Sequence, residues 1–150
     1  MTINPGLVLV SLRVVGIAMA ALVVVNLVVP GRYRWREELA LLSLLNRQIF
    51  QVHGFFIVLT LALFSALLLT CGEALLAPSR LSRAVLLGLT IFWGARMLAQ
   101  WFYYSPEIWR GNRFNTVMHY FFSAVWIYMT VTFLSALWIN LSLSNPRGIQ

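Results

Sequence analysis

Four apolar stretches, each long enough to cross a bilayer as a helix and each followed by a polar break, leave this chain few folds to choose from. The first, Leu7 to Val29, follows the turn signal Asn4-Pro5-Gly6 and closes at Pro30-Gly31. At 1.5 Å per residue it reaches about 35 Å, against a hydrocarbon core of about 30 Å. A cleaved signal peptide would show a basic leader and a shorter apolar run, so the stretch reads as a first span. The second covers about residues 47–71, the third 81–104 and the fourth 114–141. Gly72, Pro78 and Ser79 mark the second loop. The third helix is expected to stop at Ser105-Pro106, because proline forces the preceding residue out of helical geometry.

Within hydrocarbon every backbone N–H and C=O must find a partner, which continuous helices supply internally. With no strand pattern or internal repeat in the chain, the expected fold class is all-α: an integral membrane four-helix bundle, one polytopic domain over residues 1–150. Arg32-Tyr33-Arg34-Trp35-Arg36-Glu37-Glu38 combines basic and aromatic residues, the mixture that collects at a membrane interface. With Leu39, Leu42 and Leu45 it forms either a short interfacial amphipathic helix or the extended start of the second span.

Charge bears on partners and topology. Only 10 % of residues are charged, against about 25 % in soluble domains. The net charge of +7 comes entirely from arginine, scattered at helix ends rather than gathered on one face. Anionic lipid headgroups therefore fit better than nucleic acid. Arg32, Arg34, Arg36, Arg47, Arg110 and Arg113 lie on the side of the first and third loops, and Arg80, Arg83 and Arg147 on the other. The positive-inside rule then places those loops in the cytoplasm of a bacterial inner membrane, with the N- and C-termini outside. Gly16 and Ala20 form a small-xxx-small pair suited to close helix packing, and Ala95 and Ala99 a second.

Polar residues inside the apolar runs are the candidates for function. Arg96 lies about eight residues from the end of the third helix, His53 about seven into the second, and His119 about five into the fourth. All three therefore sit roughly 8–12 Å inside one surface. Arg96, Gln100 and Tyr103 or Tyr104 share one helical stripe; Asn115 and His119 share another, continued by Ser123, Trp126 and Thr130. Arg47 and Gln51 share a face of the second helix, next to that of His53, and Asn26 lies near the same end of the first. The expected ligand-binding set is thus Arg96, Gln100, His53, His119, Gln51, Arg47, Asn115 and Tyr104. The bland alternative is that Arg96 snorkels to the interface and the histidines only bridge helices.

Several chemistries are excluded. The chain has no aspartate, and no glutamate shares the histidine depth, which removes a di-metal carboxylate site. Two histidines make a catalytic zinc poor in ligands, and there is no nucleotide-binding glycine loop. Cys71 is the only cysteine, so no intrachain disulfide forms. Trp101, Phe102, Tyr103, Tyr104 and Trp109 read as an interfacial anchor. The leading expectation is a cavity for an anionic lipid, isoprenoid or quinone-like molecule, with no residue set that demands catalysis. A b-type haem held by His53 and His119 beside Gly54 is the second, and a structural or assembly subunit, partnered by another membrane protein or by a second copy, the third.

Overall fold

The structure is a computed structural model that describes residues 3–32, 34–109 and 111–144. Tyr33, Arg110, Arg147 and the polar tail Asn145-Pro146-Arg147-Gly148, all used above, lie outside the described residues. So does the side chain of Arg32. The described chain is all-α: α1 Pro5–Arg32, α2 Trp35–Ala40, α3 Leu44–Leu76, α4 Arg80–Phe102 and α5 Arg113–Ser144, with one 3-10 turn at Pro106–Ile108. Four of these helices, α1, α3, α4 and α5, are long and apolar enough to cross a membrane. Their outward faces carry Ile17, Val24, Phe56, Leu63, Ile91, Leu98, Leu134 and Trp138 in exposed positions. Apolar surface on that scale belongs against lipid, and the protein is an integral membrane protein.

Local chemistry accounts for the helix ends. Asn4 Oδ1 accepts from the Gly6 N–H at 2.9 Å, with Pro5 at the first helical position, where its missing N–H costs nothing. At the start of α4, Ser79 and Ser82 cap each other reciprocally. The short α2 has no buried residue and sits where an interfacial helix was expected; Trp35 meets Phe50 of α3 edge-on at 5.2 Å.

Several boundaries differ from those read in the sequence: α1 runs through Pro30 and Gly31 to Arg32, and α5 runs on to Ser144. α3 runs on to Leu76, across a kink at Cys71 (φ −117°, ψ 16°). Gly72 is therefore inside the helix, where it costs only about 1 kcal/mol, and Thr70 Oγ1 donates back to the Ala66 carbonyl, a bond that bends helices. α4 ends at Phe102, leaving Tyr103 and Tyr104 outside it.

The chain divides into two compact units. One holds residues 13–71, where α1 and α3 approach at Gly16: a β-carbon there would lie 2.9 Å from Leu69 Cγ and 3.2 Å from Leu68 Cβ. Ser65 Oγ donates to the Gly16 carbonyl at 2.8 Å. Ala20, the other half of the small-residue pair, is exposed, so Gly16 alone serves this approach. The other unit holds residues 1–12 and 72–150, and its centre is the packed pair α4–α5. Buried positions recur there at alternating steps of four and three: Ser82, Leu86, Leu89 and Trp93 on α4, and Trp126, Met129, Phe133, Ala136 and Asn140 on α5. That 3.5-residue period is the seam of left-handed helix packing. Asn140, fully buried, sets the two hydrogens of its amide nitrogen among three acceptors, the Leu75 and Ala77 carbonyls and Ser82 Oγ, tying α5 to the turn before α4.

Candidate functional site

Continued along α4, the same steps lead from Trp93 to Arg96 and then to Gln100, so the seam itself turns the arginine toward α5. Arg96 is half-buried and Gln100 only 7 % exposed. Arg96 Nη1 donates to Gln100 Oε1 at 3.2 Å. Its Cζ lies 4.8 Å from the ring centre of Trp126 and 5.8 Å from that of Tyr104, contacts worth about 0.5–2 kcal/mol each. No carboxylate among the described residues forms an ion pair with this guanidinium.

Gln100 is the hub. Its Oε1 also accepts from Trp126 Nε1 at 3.3 Å, and its Nε2 meets His119 Nδ1 at 3.0 Å. Trp126 in turn stacks with Trp93 (5.3 Å) and with Phe122 (5.7 Å). This stack leaves Trp126 little freedom to move away from the arginine.

His119 is held from a second direction. Trp109 lies flat on its ring, centroids 4.0 Å apart and planes 16° apart. The loop that carries Trp109 is stitched to the start of α5: Thr116 Oγ1 donates to the Trp109 carbonyl at 2.7 Å, and Asn112 Oδ1 caps the helix by accepting from the Asn115 N–H. Gly111, at φ +85°, supplies the left-handed residue that lets the chain double back. Trp109 is thus more than the interfacial anchor expected of it. The signal for this was present in Gly111-Asn112 and in the cap spacing from Asn112 to Asn115, but Trp109 and His119 stand in no helical relation to each other.

An open groove of about 540 Å³ borders the network, lined by Trp101, His119, Tyr120, Ser123, Ala124 and Ile127. The Ser123 hydroxyl donates to the carbonyl of His119 at 2.8 Å, so it is committed to its own helix. Asn115 is half-buried on the His119 face of α5.

The remaining expected residues belong to the other unit. Arg47 is half-buried, and Gln51 and His53 are exposed on α3. His53 Nδ1 donates to the Ile49 carbonyl one turn back at 2.8 Å, while Asn26 donates to the Leu22 carbonyl of α1. The two histidines therefore adopt opposite tautomers, Nδ1–H in His53 and, since Gln100 donates to it, a bare Nδ1 in His119.

That difference bears on haem. An axial imidazole offers a lone pair, and the Nδ1 lone pair of His119 is taken by Gln100 while Nε2 carries the proton. Freeing Nε2 requires the Gln100 amide to turn, giving up its bonds from Arg96 and Trp126. The donor set around His119 does not suit an axial ligand. Among the described residues no cluster of three or more His, Cys, Asp or Glu is placed to hold a metal ion. Comparison with protein-family models, with curated proteins and with solved structures finds no match for this chain.

Proposed function

We propose that this membrane protein binds an amphiphile with an anionic headgroup, a carboxylate or a phosphate on an isoprenoid, acyl or quinone-like tail, and that Arg96 takes the charge. One observation carries the reading: a guanidinium inside an apolar span rests on a neutral amide and two aromatic rings. An arginine at the centre of a span costs about 2.5–3.5 kcal/mol on insertion scales. An anionic group with paired oxygens suits its unused forked donors. By the distribution of arginines, the headgroup end faces the cytoplasmic leaflet.

The test is the lipid that travels with the protein. Wild type, Arg96→Leu and the exposed-site control Arg80→Leu are purified in mild detergent and their extracts compared by mass spectrometry. Hydrogen bonds to a charged group contribute about 1.5–3 kcal/mol, so the Arg96→Leu extract is expected to lose the anionic amphiphile by about 10–100-fold. The control should retain it. Equal lipid in all three preparations would remove the proposal.

A further inference from the structure

The amide of Gln100 decides which nitrogen of His119 carries the proton. Its Oε1 faces two groups that can only donate, Arg96 Nη1 at 3.2 Å and Trp126 Nε1 at 3.3 Å, so its Nε2 is the atom facing His119 Nδ1. Turning the amide over would set NH₂ against both donors and keep one bond in place of three; its orientation is assigned on that ground. Nδ1 then accepts, and the neutral imidazole holds its hydrogen on Nε2. Trp109 covers one face of the ring. The ring lines the groove, and its Nε2 has no hydrogen-bond partner among the described residues.

We propose that the groove binds an apolar molecule through a carbonyl-type oxygen that accepts from His119 Nε2–H, the oxidised form of a prenyl quinone being the chemistry that fits. Trp101 and Tyr120 offer aromatic surface, Ala124 and Ile127 aliphatic surface, and the volume of about 540 Å³ lies within the range of small-molecule sites. The lining also holds the Trp101 indole N–H and the Tyr120 and Ser123 hydroxyls, so donors predominate over acceptors and a ligand that brings acceptors fits. A quinone carbonyl accepts from these groups and brings no donor of its own, whereas a hydroquinone hydroxyl competes as a donor and has only the Tyr120 and Ser123 hydroxyl oxygens to accept its hydrogen. Arg96 acts here as a positioning residue: with Trp126 it holds the Gln100 amide, and the amide holds the tautomer. The inference goes beyond the preceding reading, whose ligand is anionic, and rests on it only in taking the α4–α5 pair as a ligand site.

The experiment turns the tautomer over. A carboxylate at position 100 accepts from Arg96, from Trp126 and from His119 Nδ1–H, so Gln100→Glu moves the imidazole hydrogen to Nδ1 and leaves Nε2 as an acceptor. The probe is a benzoquinone with a single isoprene unit, titrated in detergent at pH 8.5 and followed by quenching of tryptophan fluorescence, with its dithionite-reduced hydroquinone as comparison. Nitrogen NMR of ¹⁵N-histidine-labelled protein reports the tautomers, with His53 as the internal example of the opposite form.

Wild type is expected to be quenched saturably and to bind quinone more tightly than hydroquinone. Gln100→Glu should weaken quinone binding about tenfold and reverse the preference. If the spectrum shows Nε2 still protonated in that variant, it must bind quinone as wild type does, while His119→Phe loses the discrimination. Quenching that never saturates in wild type, or a preference that survives a reversed tautomer or His119→Phe, overturns the proposal. Failure here with Arg96-dependent lipid intact leaves the headgroup reading standing; quinone binding without Arg96-dependent lipid does the opposite.

Discussion

Asn140→Asp, a near-isosteric change, is expected to destabilise the protein by about 3–5 kcal/mol, the range for leaving a buried charge without compensation. The amide nitrogen it replaces shares its two hydrogens among the Leu75 carbonyl (3.2 Å), the Ala77 carbonyl (2.7 Å) and Ser82 Oγ (2.8 Å). A carboxylate oxygen in that place faces two carbonyls, and a protonated one satisfies at most one of the three sites. Asn140→Leu should cost less, about 1–3 kcal/mol. It takes one donor from the same acceptors, of which the Ala77 carbonyl still accepts from Ser82 Oγ and Ser82 Oγ from the Ser79 N–H, and it removes Asn140 Oδ1, itself buried without a partner. The check is the order of thermal midpoints in detergent, wild type above leucine above aspartate. An aspartate variant as stable as wild type would mean that the latch holds nothing. This prediction separates shape from hydrogen bonding, because the aspartate keeps the first and reverses the second.

Gly16→Leu is expected to have the second large effect. Even a β-carbon at this position would come within 2.9 Å of Leu69 Cγ, closer than such atoms pack. Leu69 is exposed and can swing aside, so Gly16→Ala should be tolerated at about 1 kcal/mol. Leu68 Cβ, 3.2 Å from that same β-carbon, is fixed to the backbone, so alanine already asks the two helices to give by a few tenths of an ångström and the rest of a leucine side chain asks for far more. A leucine therefore drives α1 and α3 apart and breaks the Ser65 bond to the Gly16 carbonyl, for a total of about 2–4 kcal/mol. Thermal unfolding of the alanine and leucine variants measures the step between them. Similar midpoints for both would show that the two helices do not approach as closely as Gly16 permits. Ala20→Leu is the control, since that position is exposed and should accept the larger side chain without loss.

The seam explains how much of the α4–α5 arrangement could be read along the chain. Arg96 and Gln100 are one turn apart, so their shared stripe follows from helical spacing alone. The steps from Ser82 through Trp93 then point that stripe at a neighbouring helix, because small and apolar side chains on one face have nowhere better to pack. Helix ends were harder. Gly72 reads as a loop residue, yet a glycine costs a helix little, and α3 absorbs it with a kink at the adjacent Cys71. Tyr104 falls on the Arg96 stripe by counting, but it leaves the helix at Phe102 and reaches the guanidinium from the loop.

Span number, helical class and the membrane setting were determined by the sequence alone, since apolar length and the need to pair every backbone group in hydrocarbon are local properties. The join of Gln100 to His119, the stacking of Trp109 on that ring and the latch at Asn140 were decided only by tertiary structure. Each depends on how far a loop turns back and on which face of one helix meets which face of another. Gly111 permits the first and the packing seam sets the second, and neither is carried by the periodicity of a single helix.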